Sequence, residues 1–323
     1  MRFLSGAEVG VARSQSSQAS FPGWLGTALS VVLADPQLWL LGALGFLLRG
    51  GWLVLALPIW ALPSPVELST LLGADAIGAA GLSANLVAAI ALALAGLAGL
   101  VVVAAFGTAV ADLSAWERLL ASSELATAGG AAARVPPERR LRTVLELVAI
   151  QVLLLVPIAV AVGWLTLRLV DVGYAEFLRP GSLEVPLVLR LLDGAREPLA
   201  LLVAVVLLAE LLAALATRRV LRRRSGLATG APRRPSAARA LRTSATGWIV
   251  VLAMVLPALF ALHLAWTGIR AVFLSTRPLD DPQLVVTAAF ITALFVAVWA
   301  ATLVLAGFAS ALRAALWSIE AIR

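Results

Sequence analysis

Three ionisable side chains stand inside long apolar runs of this 323-residue chain: Arg49 in GFLLRGGWL, Glu210 in LLAELLAAL and His263 in FALHLAW. A charge at the centre of a bilayer costs about 2.5–3.5 kcal/mol on the insertion scale, so Arg49 needs a carboxylate, backbone carbonyls, water or an anionic headgroup. Glu210 sits near the middle of the fourth run and is the expected carboxylate. The two then form a structural ion pair; a substrate or ion role for Arg49, or its reaching outward beside Gly50 and Gly51, are the other readings. His263 could relay a proton, but with no second acid on its own run it reads as a hydrogen-bonded core histidine. Glu146, one turn inside the third run, faces the interface. Arg168 and Arg270 reach headgroups along their apolar stems. Asp280-Asp281-Pro282 reads as a cap and turn into the last run rather than a metal site.

The inventory excludes more chemistry than it offers. Every one of the 25 Lys-or-Arg positions is Arg, and there is no Cys, one His and one Tyr. That removes the P-loop lysine, the Schiff base, the thiol nucleophile, the disulfide and the Cys/His zinc site. No catalytic, cofactor-binding or metal residue is assigned, and no cofactor; Arg49, Glu210 and His263 are the candidate intramembrane polar residues.

The elements that must position them follow from composition. The chain is 61% hydrophobic and 13% charged, where soluble domains carry about a quarter charged residues. Six stretches exceed the roughly 20 residues a spanning helix needs: about Pro36–Leu62, Leu82–Ala111, Thr143–Val170, Pro198–Ala216, Gly247–Leu274 and Leu284–Leu312. Unbroken apolar runs in lipid must satisfy their own backbone groups, and barrel strands would alternate. The expected fold is all-α, a polytopic membrane bundle of six helices in one domain (21–323) after a polar tail (1–20). Pro22, Trp24, Leu25, Ala28, Val31 and Val32 share one face of a cytosolic interfacial helix that leads to the first span at Asp35-Pro36.

The spans pair as three related hairpins. Leu141-Arg142-Thr143 and Leu241-Arg242-Thr243 each open a span, with Pro157 or Pro257 following inside it, and Trp52, Trp164 and Trp266 recur toward the other end. Ala91, Ala95 and Gly99, at four-residue spacing, mark span two as the packed centre of the bundle, with a dimer face as the other reading. SLEVPLVLRLLDG, between spans three and four, reads as an amphipathic helix on the outer leaflet.

The loops set orientation. The tail, the two connections 112–142 and 218–245, and the C-terminal end carry 18 Arg, against six in the alternate connections. By the positive-inside rule both termini are cytosolic, and Arg without Lys points to a GC-rich bacterial genome, hence a bacterial inner membrane. The net charge of +7 then belongs to basic loops beside anionic lipid headgroups. Nucleic acid is not an expected partner: RRVLRRRSGLATGAPRRPSAARALRT has no interleaved aromatic for stacking.

WLGTALSVVLADPQLWLLGALG, the Arg-led span start ARALRT and the closing GFASALRAALWSIEAIR together resemble the multi-span proteins of the glycerophosphoryl diester phosphodiesterase membrane-domain type. The resemblance implies a six-span fold. It implies no activity, because these residues carry no phosphodiesterase domain.

The functional expectation is a non-enzymatic integral membrane protein, a scaffold or subunit of an assembly with a membrane or cytosolic protein partner. The alternative is the permease subunit of a transporter driven by a separate ATPase, with DLSAWERLLASSEL as its docking helix. Orientation is open to direct measurement, since the chain has no native Cys. Cysteines placed at Ser17 and Ser236 are expected to resist an impermeant thiol reagent in intact cells, and one at Ser64 to react; the reverse pattern inverts the topology.

Overall fold

The computed structural model describes residues 21–56, 58–59, 77–78, 81–82, 84–122, 135–178, 187–226, 237–275 and 282–322. The tail 1–20, the connection 227–236, Asp280-Asp281 and the labelling positions Ser17, Ser64 and Ser236 lie outside them. Among the described residues six helices are long and apolar enough to cross a membrane, so this is an all-α integral membrane protein. In chain order the elements are α1 (Phe21–Ala34) and α2 (Pro36–Ala56), then two-residue strands β1 (Ile77–Gly78) and β2 (Gly81–Leu82), paired antiparallel. They continue with α3 (Ala84–Ala121), α4 (Pro137–Leu178), the short α5 (Leu187–Gly194), α6 (Arg196–Arg224), α7 (Ala237–Ser275) and α8 (Pro282–Ile322). Of the expected amphipathic stretch SLEVPLVLRLLDG, the described part is α5, which packs on α4, and SLEVP lies outside the described residues. Helices α4 and α7 run through Pro157 and Pro257 without ending.

Asp35 separates α1 from α2 as a helix cap. Its backbone is extended and its Oδ1 accepts the amide of Gln37 at 3.0 Å, while Pro36 occupies the first turn, where no amide is needed. Leu47–Gly51 of α2 winds as a π-helical turn that contains Gly50 at φ +91°. A side chain is disfavoured at that φ, so the turn relies on glycine.

Consecutive spans pack as hairpins, α2 with α3, α4 with α6 and α7 with α8. The hairpins join where α2 meets α8 and α3 meets α4. The α2–α8 crossing is close enough to require glycine on both sides. A Cβ on Gly42 would lie 2.2 Å from the carbonyl oxygen of Gly307, and one on Gly307 2.6 Å from that of Trp39. Trp39 fixes this crossing to α1: its Nε1 donates to the Val32 carbonyl at 2.7 Å, and its ring meets Phe308 edge-on at 5.2 Å.

The buried core sits at the Arg-rich end. One cluster joins Ala28, Val31 and Val32 of α1 to Leu119, Ala315, Leu316 and Ile319; a second gathers Leu113, Trp116 and Leu120 with Val144, Leu147 and Leu221. Helix α1 therefore packs into the bundle rather than only lying on its surface. The helices also run beyond the apolar windows at this end, α3 to Ala121, α4 from Pro137, α6 to Arg224 and α8 to Ile322. Hydropathy drops there because charges appear, yet several of those charges are paired within the protein and the helices continue.

Span two departs from expectation. Residues 91–100 of α3 are exposed throughout, and a Cβ on Gly96 or Gly99 would meet nothing within 4 Å. Ala91, Ala95 and Gly99 thus face outward and are not the packed centre. Small residues permit close approach but do not compel it, since lipid supplies no hydrophobic drive between apolar helices.

The glycine crossing gives a sharp contrast. Gly42→Leu is expected to lower the thermal midpoint in detergent, at about 1–3 kcal/mol or more for overpacking. Gly99→Leu is expected to stay within about 0.5 kcal/mol of the parent. Equal midpoints for the two variants would refute the crossing.

Candidate functional site

The π-helical turn of α2 carries Arg49, whose Nη2 donates to both carboxylate oxygens of Asp112 on α3 at 2.6 Å. Glu210 on α6 instead accepts from Nη2 of Arg313 on α8. The expected Arg49–Glu210 pair is therefore corrected: both residues are ion-paired, each with a different partner. Asp112 and Arg313 stood at or just past the ends of the apolar windows, where they read as loop charges. The helices carry them inward, and the long guanidinium stem of Arg49 covers the remaining distance.

The two pairs share one small cavity. Arg49, Asp112, Gln151, Glu210, Arg218 and Arg313 all line a space of about 90 Å³ between α2, α3, α4, α6 and α8. Arg313 is further held by Trp248, with its guanidinium carbon 4.9 Å from the ring centre. Arg218 is only 9% exposed and lies 5.9 Å from the ring centre of the fully buried Trp116. Its Nη2 donates to the carbonyl of Ala314 at 3.3 Å, while Nε and Nη1 find no partner among the described residues. Three guanidiniums therefore face two carboxylates, and an arginine side chain does not deprotonate in a protein. The cavity keeps an unbalanced positive charge.

A second, larger space of about 440 Å³ adjoins it and shares Arg49, Gln151, Glu210 and Ala213. Its other walls are apolar but for Thr108, and include Leu97, Leu100 and Val101 of α3, Leu154 and Ile158 of α4, and Val206 of α6. One end of this groove is ionic and the rest is largely hydrocarbon.

Around the cavity, further ion pairs tie neighbouring helices at the same end. Glu146 of α4 accepts from Nε and Nη2 of Arg224 on α6, with Nε at 3.2 Å, and has Arg223 at 3.4 Å and Arg142 at 3.6 Å. Arg118 reaches Asp35 at 3.4 Å, and Arg140 pairs with Glu117. At the opposite end Arg190 pairs with Glu176, and Arg168 donates to the Gly194 carbonyl at 3.3 Å instead of only reaching toward headgroups. His263 lies apart from the cluster: it is exposed, with Nδ1 3.2 Å from the Pro58 carbonyl, to which a ring N–H can donate. Among the described residues no group of three His, Cys, Asp or Glu is placed to hold a metal.

The sequence reading missed Asp112, Arg218 and Arg313. A signal was present for each: at the first residues past an apolar run, they sit four residues from Trp116, Ala214 and Trp317 respectively, in stretches that keep helical periodicity. No family model, curated protein or solved structure matches this chain.

The pairing can be tested by double-mutant comparison. Arg49→Leu with Asp112→Leu is expected to be non-additive by about 1–3 kcal/mol in thermal stability. Arg49→Leu with Glu210→Leu should show a smaller coupling, because those residues share only the cavity. A larger coupling to Glu210 than to Asp112 would restore the original pairing.

Proposed function

We propose that this integral membrane protein is a non-enzymatic scaffold or subunit of an assembly in a bacterial inner membrane, with both termini cytosolic. Its basic connections would lie against anionic headgroups, and a membrane or cytosolic protein would be its partner. The observation that carries the proposal is how three acids are used. Asp112, Glu146 and Glu210 each accept from an arginine of another helix, joining α2 to α3, α4 to α6 and α6 to α8. These acids hold the bundle together.

The second reading, a permease subunit driven by a separate ATPase, needs a helix at the cytosolic face free to dock. The segment proposed for that task begins DLSAWERLL and is the last part of α3, with Trp116, Leu119 and Leu120 buried in the bundle. That burial favours the scaffold.

Purification from native membranes in mild detergent, with light scattering and native mass spectrometry, separates the two. A discrete complex of fixed stoichiometry without ATP hydrolysis is expected. A co-purifying subunit that hydrolyses ATP would select the permease, and a lone chain even after cross-linking in the membrane would remove the assembly role.

A further inference from the structure

We infer that the arginine cavity and the adjoining apolar groove form one binding site for a phospholipid with an anionic headgroup. The phosphate would lie at Arg218 and Arg49, and an acyl chain along the groove.

The charge balance comes first. Arg218 is nine-tenths buried, with two of its three nitrogens unmatched among the described residues, in a cavity where Asp112 and Glu210 already serve Arg49 and Arg313. A buried charge without a counter-charge is strongly destabilising, and arginine cannot escape by losing its proton. An anion in the cavity would supply what the protein does not. Phosphate oxygens suit the guanidinium fork, which can give two parallel hydrogen bonds. Gln151, on the boundary between cavity and groove, adds a neutral amide to the same wall.

Shape decides between a lipid and a free anion. A site for a small soluble anion would be polar on all sides, whereas this one continues into a groove about five times the size of the cavity and walled by leucine, isoleucine and valine. The direction also fits. The ionic end points toward the Arg-rich end of the bundle, where α3 ends beyond Asp112 and α6 ends beyond Arg218, and the apolar end points toward mid-membrane. A lipid in the leaflet at the Arg-rich end has that same polarity, head toward the helix ends and chain toward the centre. Arg49 stands at the junction, lining both spaces, with its side chain 45% exposed even though paired to Asp112. The site stands independently of the assembly role proposed above.

The test uses the full chain in detergent micelles doped with dioleoyl phosphatidylglycerol, with dioleoyl phosphatidylcholine, or with inorganic phosphate alone, and reads the thermal midpoint and retained lipid by native mass spectrometry. Phosphatidylglycerol is expected to raise the midpoint and to be retained; phosphatidylcholine, whose headgroup carries no net charge, and inorganic phosphate are expected to do neither. Arg218→Gln should weaken the phosphatidylglycerol response about tenfold or more, the scale of a lost hydrogen bond to a charged group. Arg219→Gln removes an equal charge from the exposed face of the same turn and should leave the response intact. In phosphatidylcholine alone Arg218→Gln should melt no lower than the parent, because it removes an unbalanced cation; a variant that merely damaged the fold would melt lower in both lipids. Ala104→Phe, which narrows the groove without touching an arginine, should abolish retention of phosphatidylglycerol. An undiminished response in Arg218→Gln, or equal responses to the two lipids, would overturn the site. Inorganic phosphate matching phosphatidylglycerol would make it a free-anion site and overturn the lipid assignment.

Discussion

A guanidinium inside a membrane protein cannot become neutral, so it must be given oxygen acceptors, and the rest of this bundle is arranged around that constraint. Arg49 could not be left facing hydrocarbon at the centre of the first span. It is met by a π-helical turn, with glycine at positive φ next to it, and by a carboxylate on the neighbouring helix. Arg313 is met by Glu210 and by the face of Trp248, and Arg224 by Glu146. Each contact joins two different helices. The order of the bundle, α2 beside α3, α4 beside α6, and α6 touching α8, is also the order in which acids and arginines find one another.

The other stabilising terms are distributed by where water is. Burying apolar surface is worth about 25 cal/mol per Å² only when the alternative is contact with water. Within the hydrocarbon that alternative does not exist, and the central windows of the spans are mostly turned outward. At the Arg-rich end the helices approach the aqueous phase, and there the chain builds a core like that of a soluble protein. Helix α1 contributes Ala28, Val31 and Val32 to it, and Trp116 and Leu120 are buried beside them. Further into the membrane, backbone contact replaces hydrophobic burial. Gly42 against Gly307 lets α2 and α8 approach until any Cβ would collide with main chain. The molecule is therefore held by a watery-end core, a glycine crossing and a set of ion pairs, with the opposite half of α3 left outside all three.

Much of the fold was legible because it depends on one-dimensional features. Six apolar runs, the Asp35-Pro36 cap and the face of α1 are each set by a short window of sequence, and each is found in the structure. The site was legible only in part, because pairing depends on which helices are neighbours and at what height. Arg49 and Glu210 were both visible as charges that needed partners. Matching them to each other assumed that position along a span equals depth at a shared interface. A side chain as long as arginine breaks that assumption, since it can reach an acid about one turn away from its own level. Asp112 and Arg313 were missed for a related reason: a hydropathy window stops at the first charges, whereas a helix stops only when its backbone loses partners. The stripe at Ala91, Ala95 and Gly99 failed differently. It describes what a helix surface allows, and nothing in the sequence states whether another helix comes.

The absence of lysine gives these arginines a consequence beyond geometry. A buried lysine can lower its charge by releasing a proton, so a lysine-lined cavity adapts to being empty. Arginine lacks that route, and its charge is permanent whatever occupies the space around it. In the cavity between α2, α6 and α8 this makes the imbalance of three cations and two carboxylates a fixed property of the fold. Removing one arginine would balance the count, yet Arg218 stands where it has a single long carbonyl contact and an aromatic ring. Stability alone does not account for such a residue, because a neutral side chain of similar size would avoid the desolvation cost. An anion that enters with its own hydrocarbon, along a groove already lined for it, resolves both the charge and the space.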